Sequence, residues 1–180
     1  MSSPYPAIAM LSRALDQTGD VLAAIRRDQL SDPTPCADWD VAHLIGHVLG
    51  APARFAEAAR GGEADWSAAP KPVSSNSVTQ FRSEADDLIH TWHQRGDQAE
   101  AGSVDWQTAE FAVHTWDLVK ATGQNRKLDP EVAERGLAFM TQGLTPENRE
   151  PAFDPEVEVP EDADPYDRLA AFAGRHIPTS

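Results

Sequence analysis

Glu110, His114 and Asp117 stand four and three residues apart, and on a helix they share one face with only Val113 between them. The Glu110–His114 spacing makes those side chains neighbours, with Cβ atoms roughly 6 Å apart. A carboxylate and an imidazole at that separation can hold one divalent metal ion. They can equally form a satisfied core pair, because any Glu-x-x-x-His on a helix brings the two groups together. Phe111, Ala112, Trp116, Leu118 and Val119 cover most of the remaining helix surface. A surface helix turns a broad polar face to water, so this narrow stripe predicts something else: a buried helix over Val104 to Gly123 that aims polar groups at an internal cavity. Asp117, one turn beyond His114, is placed to hold an imidazole N–H or a water, or else to serve as an N–H or Arg partner within a bundle.

A metal site needs a further donor from another element. Asp40 reads as the N-cap of a helix carrying Val41, Leu44, Ile45, Val48, Leu49 and Phe55, with Pro52 expected to kink it or end its regular part. His47 sits at the edge of that apolar stripe and can face a bundle interior, whereas His43 lies nearer solvent and the helix start. His90 and His93, three apart, have metal-binding spacing but no reason for a third donor to join them, and are expected at the surface. Cys36 sits in a loop fixed by Pro33 and Pro35, where packing is the expected role and nucleophilic chemistry the minor one.

The other elements follow from apolar spacing. Ile8, Leu11, Leu15, Thr18, Leu22 and Ile25 predict a first helix from about Ala7 to Arg27. Gly61 to Asn76 is a small-residue connection, and Ser77-Val-Thr-Gln80 has the form of a capping box for a third helix ending near Arg95-Gly96. Asp97 to Val104 reads as a short polar loop. Gly123 closes the central helix, and Asp129-Pro130 opens a helix stopped at Gly143. Thr145-Pro146 suggests one further turn, Glu150 to Asp164 an extended acidic surface segment, and Asp164-Pro165 to Gly174 a last short helix. Strand signals are nearly absent from the sequence, and no repeat or nucleotide fingerprint is visible.

At 180 residues with 41 % apolar content, the chain fits a single domain over 1–180. The net charge of −14 and the lack of any Lys/Arg cluster argue against nucleic acid or an anionic membrane as partner. The N-terminus lacks the regions of a signal peptide, no apolar run reaches membrane-spanning length, and the one cysteine cannot form an internal disulfide. A cytoplasmic location is expected.

Three stretches taken together resemble the DinB-like superfamily, and within it the mycothiol-dependent maleylpyruvate isomerase N-terminal (metal-binding) family. They are Pro33-Thr-Pro-Cys36 with Trp39, Val41 through His47-Val-Leu-Gly50, and Glu110-x-x-x-His114-x-Trp-Asp-Leu118 with Ala121-Thr-Gly123. The ending, Pro151 to Pro160 and Asp167-Arg-Leu through Gly174-Arg175, is similar to a compact branch lacking the isomerase's second domain. The resemblance implies an all-α, DinB-like four-helix bundle with an additional short C-terminal helix and an extended acidic C-terminal segment. It also implies a divalent metal ion, usually zinc, held by His47, Glu110 and His114. His43 stands where relatives commonly have Asp or Glu, which makes it a rival ligand, and the connection from Gly96 to Asp105 is shorter than is usual.

Three protein ligands leave a coordination position open, as catalytic sites do. The leading expectation is a metal-dependent, thiol-utilising enzyme, a mycothiol S-transferase or isomerase, acting on a small electrophilic molecule with mycothiol as co-substrate. The alternatives are a metal-dependent hydrolase of the same fold and a non-catalytic metal- or ligand-binding helical module. Dimerisation through helix faces is compatible with such a bundle.

Overall fold

The computed structural model describes residues 3–36 and 38–178; Met1, Ser2, Ala37, Thr179 and Ser180 lie outside the described residues, so the loop expected around Cys36 is seen except at Ala37. Among these described residues six α-helices run in order: α1 (Tyr5–Ala23), α2 (Val41–Ala59), α3 (Ser77–Arg95), α4 (Ala101–Thr122), α5 (Pro130–Gly143) and α6 (Pro165–Phe172). Among the described residues there is no strand, only an isolated bridge between Pro33 and Asp40. The protein is all-α. No helix of the described residues is long and apolar enough to cross a membrane.

α1 and α2 each pack on both α3 and α4, closing a four-helix ring, while α5 lies on α4 and α1, and α6 covers α5 and α4. α4 therefore touches α1, α2, α5 and α6, and it carries apolar groups nearly all round because nearly every face is covered. Phe111 meets Phe55 and Phe81 edge-on at centroid separations of 5.8 and 6.2 Å. Each large side chain buried this way contributes about 1.5–3 kcal/mol. The polar residues of α4 that face other helices are matched: Thr115 meets Thr18 at 2.8 Å, and Gln107 accepts from the Trp92 indole at 3.0 Å.

Local signals place several helix ends. The Asp40, Asp129 and Asp164 side chains accept from the N–H groups of His43, Glu131 and Tyr166, capping α2, α5 and α6. Gly123 takes φ +62°, a left-handed conformation that glycine adopts without a Cβ clash. Three expectations need correction and a fourth is narrowed. α1 stops at Ala23 rather than near Arg27, because the chain turns there so that Gln29 can accept from the Arg26 N–H and donate to the Thr122 carbonyl at the end of α4. Of the two outcomes expected of Pro52, an end to the helix does not occur: α2 continues through it to Ala59. Ser77 is the first residue of α3 and not its cap: its hydroxyl accepts from the Ser74 N–H at 2.8 Å, and Gln80 donates to Glu84 instead of reaching back. α4 begins at Ala101, directly after a 3₁₀ turn over Gly96–Gln98, so the polar loop is shorter than expected.

The acidic segment after α5 is more than a surface strap. Buried Arg149 donates to the carbonyls of Asp154 and Phe172 and stacks on the Phe172 ring, tying the segment to α6. The Val157 N–H donates to the Ala171 carbonyl. This fixes Phe153 half-buried, facing the interior near α4.

Candidate metal centre

His47 from α2 and Glu110 and His114 from α4 converge. Both imidazoles donate from Nε2 to the same oxygen, Glu110 Oε1, at 3.0 Å from His47 and 3.2 Å from His114. One donor atom from each of the three lies within 4.8 Å of the others. Donors about 2.0–2.1 Å from a tetrahedral zinc stand roughly 3.3 Å apart, so two imidazole nitrogens and a carboxylate oxygen this close suit such an ion in both chemistry and spacing. The resemblance named these three residues, and the fold brings them together.

Asp117 lies behind the donors. It is fully buried, and its Oδ2 accepts from His114 Nδ1 at 3.2 Å. Arg175, from the segment after α6, donates Nε to Asp117 Oδ1 at 3.1 Å and Nη2 to Oδ2 at 3.0 Å. Both roles foreseen for Asp117 are thus filled at once. Holding the distal nitrogen of a candidate ligand fixes the ring's orientation and leaves Nε2 for the site. Trp39 closes the other side, with ring centroids 5.0 Å from His47 and 6.3 Å from His114.

The charges are matched. Burial alone would lower the His114 imidazole, but the Glu110 charge and hydrogen bonds with Asp117 and Glu110 outweigh it, raising the group from its ordinary 6.5 to about 9. Burial alone would raise the Glu110 carboxyl, yet the charge of His114 and the hydrogen bonds from both imidazoles hold it well below the usual carboxylate range. Asp117 is likewise held low against burial by its hydrogen bonds from His114 and Arg175. Without an ion, then, an imidazolium lies between two carboxylates. A metal would replace the Nε2 proton and keep the Nδ1–H to Asp117.

The donors face a cavity of about 380 Å³ whose walls are mainly apolar: Trp39, Trp106, Val113, Met140 and Phe153. Among the described residues Glu110 is the only carboxylate lining it. Cys36 lines it too, with donor atoms of Cys36, His114 and Asp117 within 4.8 Å of one another, so the fold supplies the histidine that sequence proximity did not. Burial pushes the Cys36 thiol up to about 11, however, so without an ion it is protonated at neutral pH and a poor nucleophile. His43 packs against Trp39 with the rings tilted and centroids 4.5 Å apart, and it is not among the converging donors. His90 and His93 are exposed, as expected.

The features that sequence reasoning missed are the walls and the clamp: Trp106, Met140, Phe153 and Arg175. Trp106 had a faint signal, being a tryptophan one turn before Glu110 on the same helix. Arg175 stood in the family-like ending and Asp117 read as an Arg partner, but nothing joined the two, since 58 residues separate them.

A helical bundle holding a His/Glu/His donor set at the foot of an open cavity defines the class. Residues 11–119 match the family model described as "Mycothiol maleylpyruvate isomerase N-terminal domain", and the chain belongs to that family. The matched region contains all three donors and Asp117; α5, α6 and Arg175 lie beyond it. "Uncharacterized protein Rv0738" of Mycobacterium tuberculosis (strain ATCC 25618 / H37Rv) is 33 % identical over 181 residues, covering 92 % of this chain and 95 % of its own. "Uncharacterized protein MT0763" of strain CDC 1551 / Oshkosh matches to the same extent. "Uncharacterized protein Rv0036c" is 39 % identical over 49 residues, 27 % of this chain and 19 % of its own. No solved structure matches the chain.

Proposed function

We propose that the protein is a metal-dependent enzyme that uses a low-molecular-weight thiol, mycothiol, on a small electrophile, by S-transfer or isomerisation. His47, Glu110 and His114 would hold the divalent ion, with zinc the best match to two imidazoles and a carboxylate. Bound there, such an ion supplies a lowered thiol pKa, so that thiolate exists at neutral pH. The observation that carries the reading is the convergence of three donors on one point at the floor of an open, largely apolar cavity.

The chain's own residues do the rest. Asp117 and Arg175 keep the His114 ring turned so that Nε2 points at the site, and Trp39 holds both imidazoles from the side. Trp106, Val113, Met140 and Phe153 exclude water, which favours an anionic sulfur attacking carbon. In transfer, the S–C bond forms and the leaving group departs with its bonding pair. In isomerisation, the adduct rotates about the former double bond and expels the thiolate again, so no atom is gained or lost. Hydrolysis by activated water would need a free general base. Glu110 is a ligand and Asp117 is tied to Arg175 and His114, which favours thiol chemistry over the hydrolase reading.

The test is metal analysis of the purified chain, followed by addition of mycothiol to a cobalt-substituted form. About one equivalent of metal, lost in His47→Ala, together with a new thiolate-to-cobalt absorption and consumption of thiol with electrophiles, is expected. Metal well below one equivalent and unchanged by His47→Ala removes the site. Metal without any response to thiol removes the thiol chemistry.

A further inference from the structure

The site continues past Trp106 into a second cavity of about 380 Å³, which shares His47, Trp106 and Glu110 with the first and adds Arg54, Phe55 and Trp66. We propose that this second cavity binds the carboxylate of a flat aromatic acid, with Arg54 taking the carboxylate and the ring lying along Trp66 and Phe55. The proposal rests on the thiol-plus-electrophile reading and names the class of the electrophile.

The guanidinium is positioned but not used. Arg54 spends Nε on the Gly50 carbonyl at 3.1 Å, and among the described residues its terminal nitrogens meet no carboxylate. Most arginines pair with acids, and Arg95 and Arg149 are spent on backbone carbonyls. Arg27 and Arg168 also lack an acid partner among the described residues, and what sets Arg54 apart is that it lines a cavity reaching His47 and Glu110. Asp65, the acid that feels the Arg54 charge, gives its own oxygen to the Ser67 N–H at 3.0 Å and hydroxyl at 2.7 Å. Gly50 makes the pose available. A Cβ there would sit 2.2 Å from Arg54 Nη2, so the absence of a side chain lets the guanidinium lie across the helix.

The rest of the cavity selects for an aromatic body. Trp66 is 60 % exposed yet packs on Phe55 at 5.4 Å, and Trp106, 38 % exposed, stands between the two cavities. Exposed tryptophans flanking one opening are the surface that a flat apolar ligand covers. A planar fork of two N–H groups matches a carboxylate. Among the described residues the first cavity offers no such free fork, because Arg175 is committed to Asp117 and to the Ala173 carbonyl. Two substrates then have two places. The thiol enters the apolar cavity, and the acid lies beside His47 and Glu110 from the other side.

The test is calorimetric titration of the full chain, zinc-loaded and metal-free, with trans-cinnamate and with its neutral amide, trans-cinnamamide. The acid is expected to bind at least about tenfold more tightly than the amide, the worth of one charge-assisted pair. Arg54→Gln should bring the two to parity. Gly50→Ala, which keeps the charge but shifts the guanidinium from its place across the helix, should lower the acid preference without abolishing it, and alanine is the better helix former, so the fold is kept. Equal affinity for acid and amide in the unaltered protein, or an acid preference that survives Arg54→Gln, overturns the proposal. Calorimetry needs no turnover. A preserved acid preference in a protein that consumes no thiol therefore supports this subsite while removing the proposed function.

Discussion

Removing the guanidinium of Arg175 isolates one buried charge. Asp117 is fully inside the protein and Arg175 is 11 % exposed at the side chain, so water cannot replace what is lost. In Arg175→Met, Asp117 Oδ1 loses its side-chain donor and Oδ2 keeps only His114 Nδ1 at 3.2 Å. Breaking a buried ion pair by removing one partner costs about 3–5 kcal/mol. The surviving imidazolium offsets part of this, so a loss of about 3 kcal/mol is expected. For a chain of this length that is a fall in Tm of roughly 6–12 °C. Asp117→Asn in the same background removes the stranded charge and should recover a large part of the loss, giving a coupling that a double-mutant cycle measures. Metal affinity should fall about 10- to 100-fold in Arg175→Met, as it does when the group orienting a ligand histidine is disturbed. Denaturant unfolding and metal titration on the four proteins of the cycle read both effects. If Arg175→Met costs less than about 1 kcal/mol, or if Asp117→Asn adds to the loss instead of relieving it, the clamp is not what positions His114.

Three other outcomes are expected. The His114 imidazole is raised from 6.5 to about 9, so its contribution to metal-free stability is fully present below pH 6.5 and is lost as pH rises through about 9; thermal unfolding of the metal-free chain should show that decline, and an unchanged decline in His114→Gln would refute it. Glu110→Gln removes the oxygen shared by both imidazoles and should weaken metal binding by at least about a hundredfold, measured by competition with a chelator. Cys36, with its thiol pushed up to about 11, should alkylate far more slowly than free cysteine at pH 7.5, and Cys36→Ser should leave metal stoichiometry unchanged; rapid alkylation or loss of metal would make the thiol part of the site.

Much of this protein was legible before any coordinates. The apolar spacing in α1, α2 and α4 and the aspartates before Val41, Pro130 and Pro165 carry helix positions in local chemistry that acts over a turn or two. The i, i+4 spacing likewise made Glu110 and His114 neighbours on any helix, and the narrow stripe around them marked a buried one. Where local signals misled, a contact from elsewhere had intervened. Gln29 reaching Thr122 ends α1 early, and the incoming Ser74 takes the Ser77 hydroxyl from its capping role.

What the tertiary structure alone decided is which distant groups share the space above the donors. His47 joins Glu110 across 63 positions and Arg175 joins Asp117 across 58. Phe153 is brought to the cavity by a buried arginine on a segment that otherwise reads as an acidic surface strap. No periodicity encodes such meetings, because they depend on how helices cross and on where a chain of net charge −14 spends its few cations. Side-chain spacing along one helix is a property of the sequence. The filling of a cavity belongs to the packed whole, since each wall is held in place by residues that never touch it.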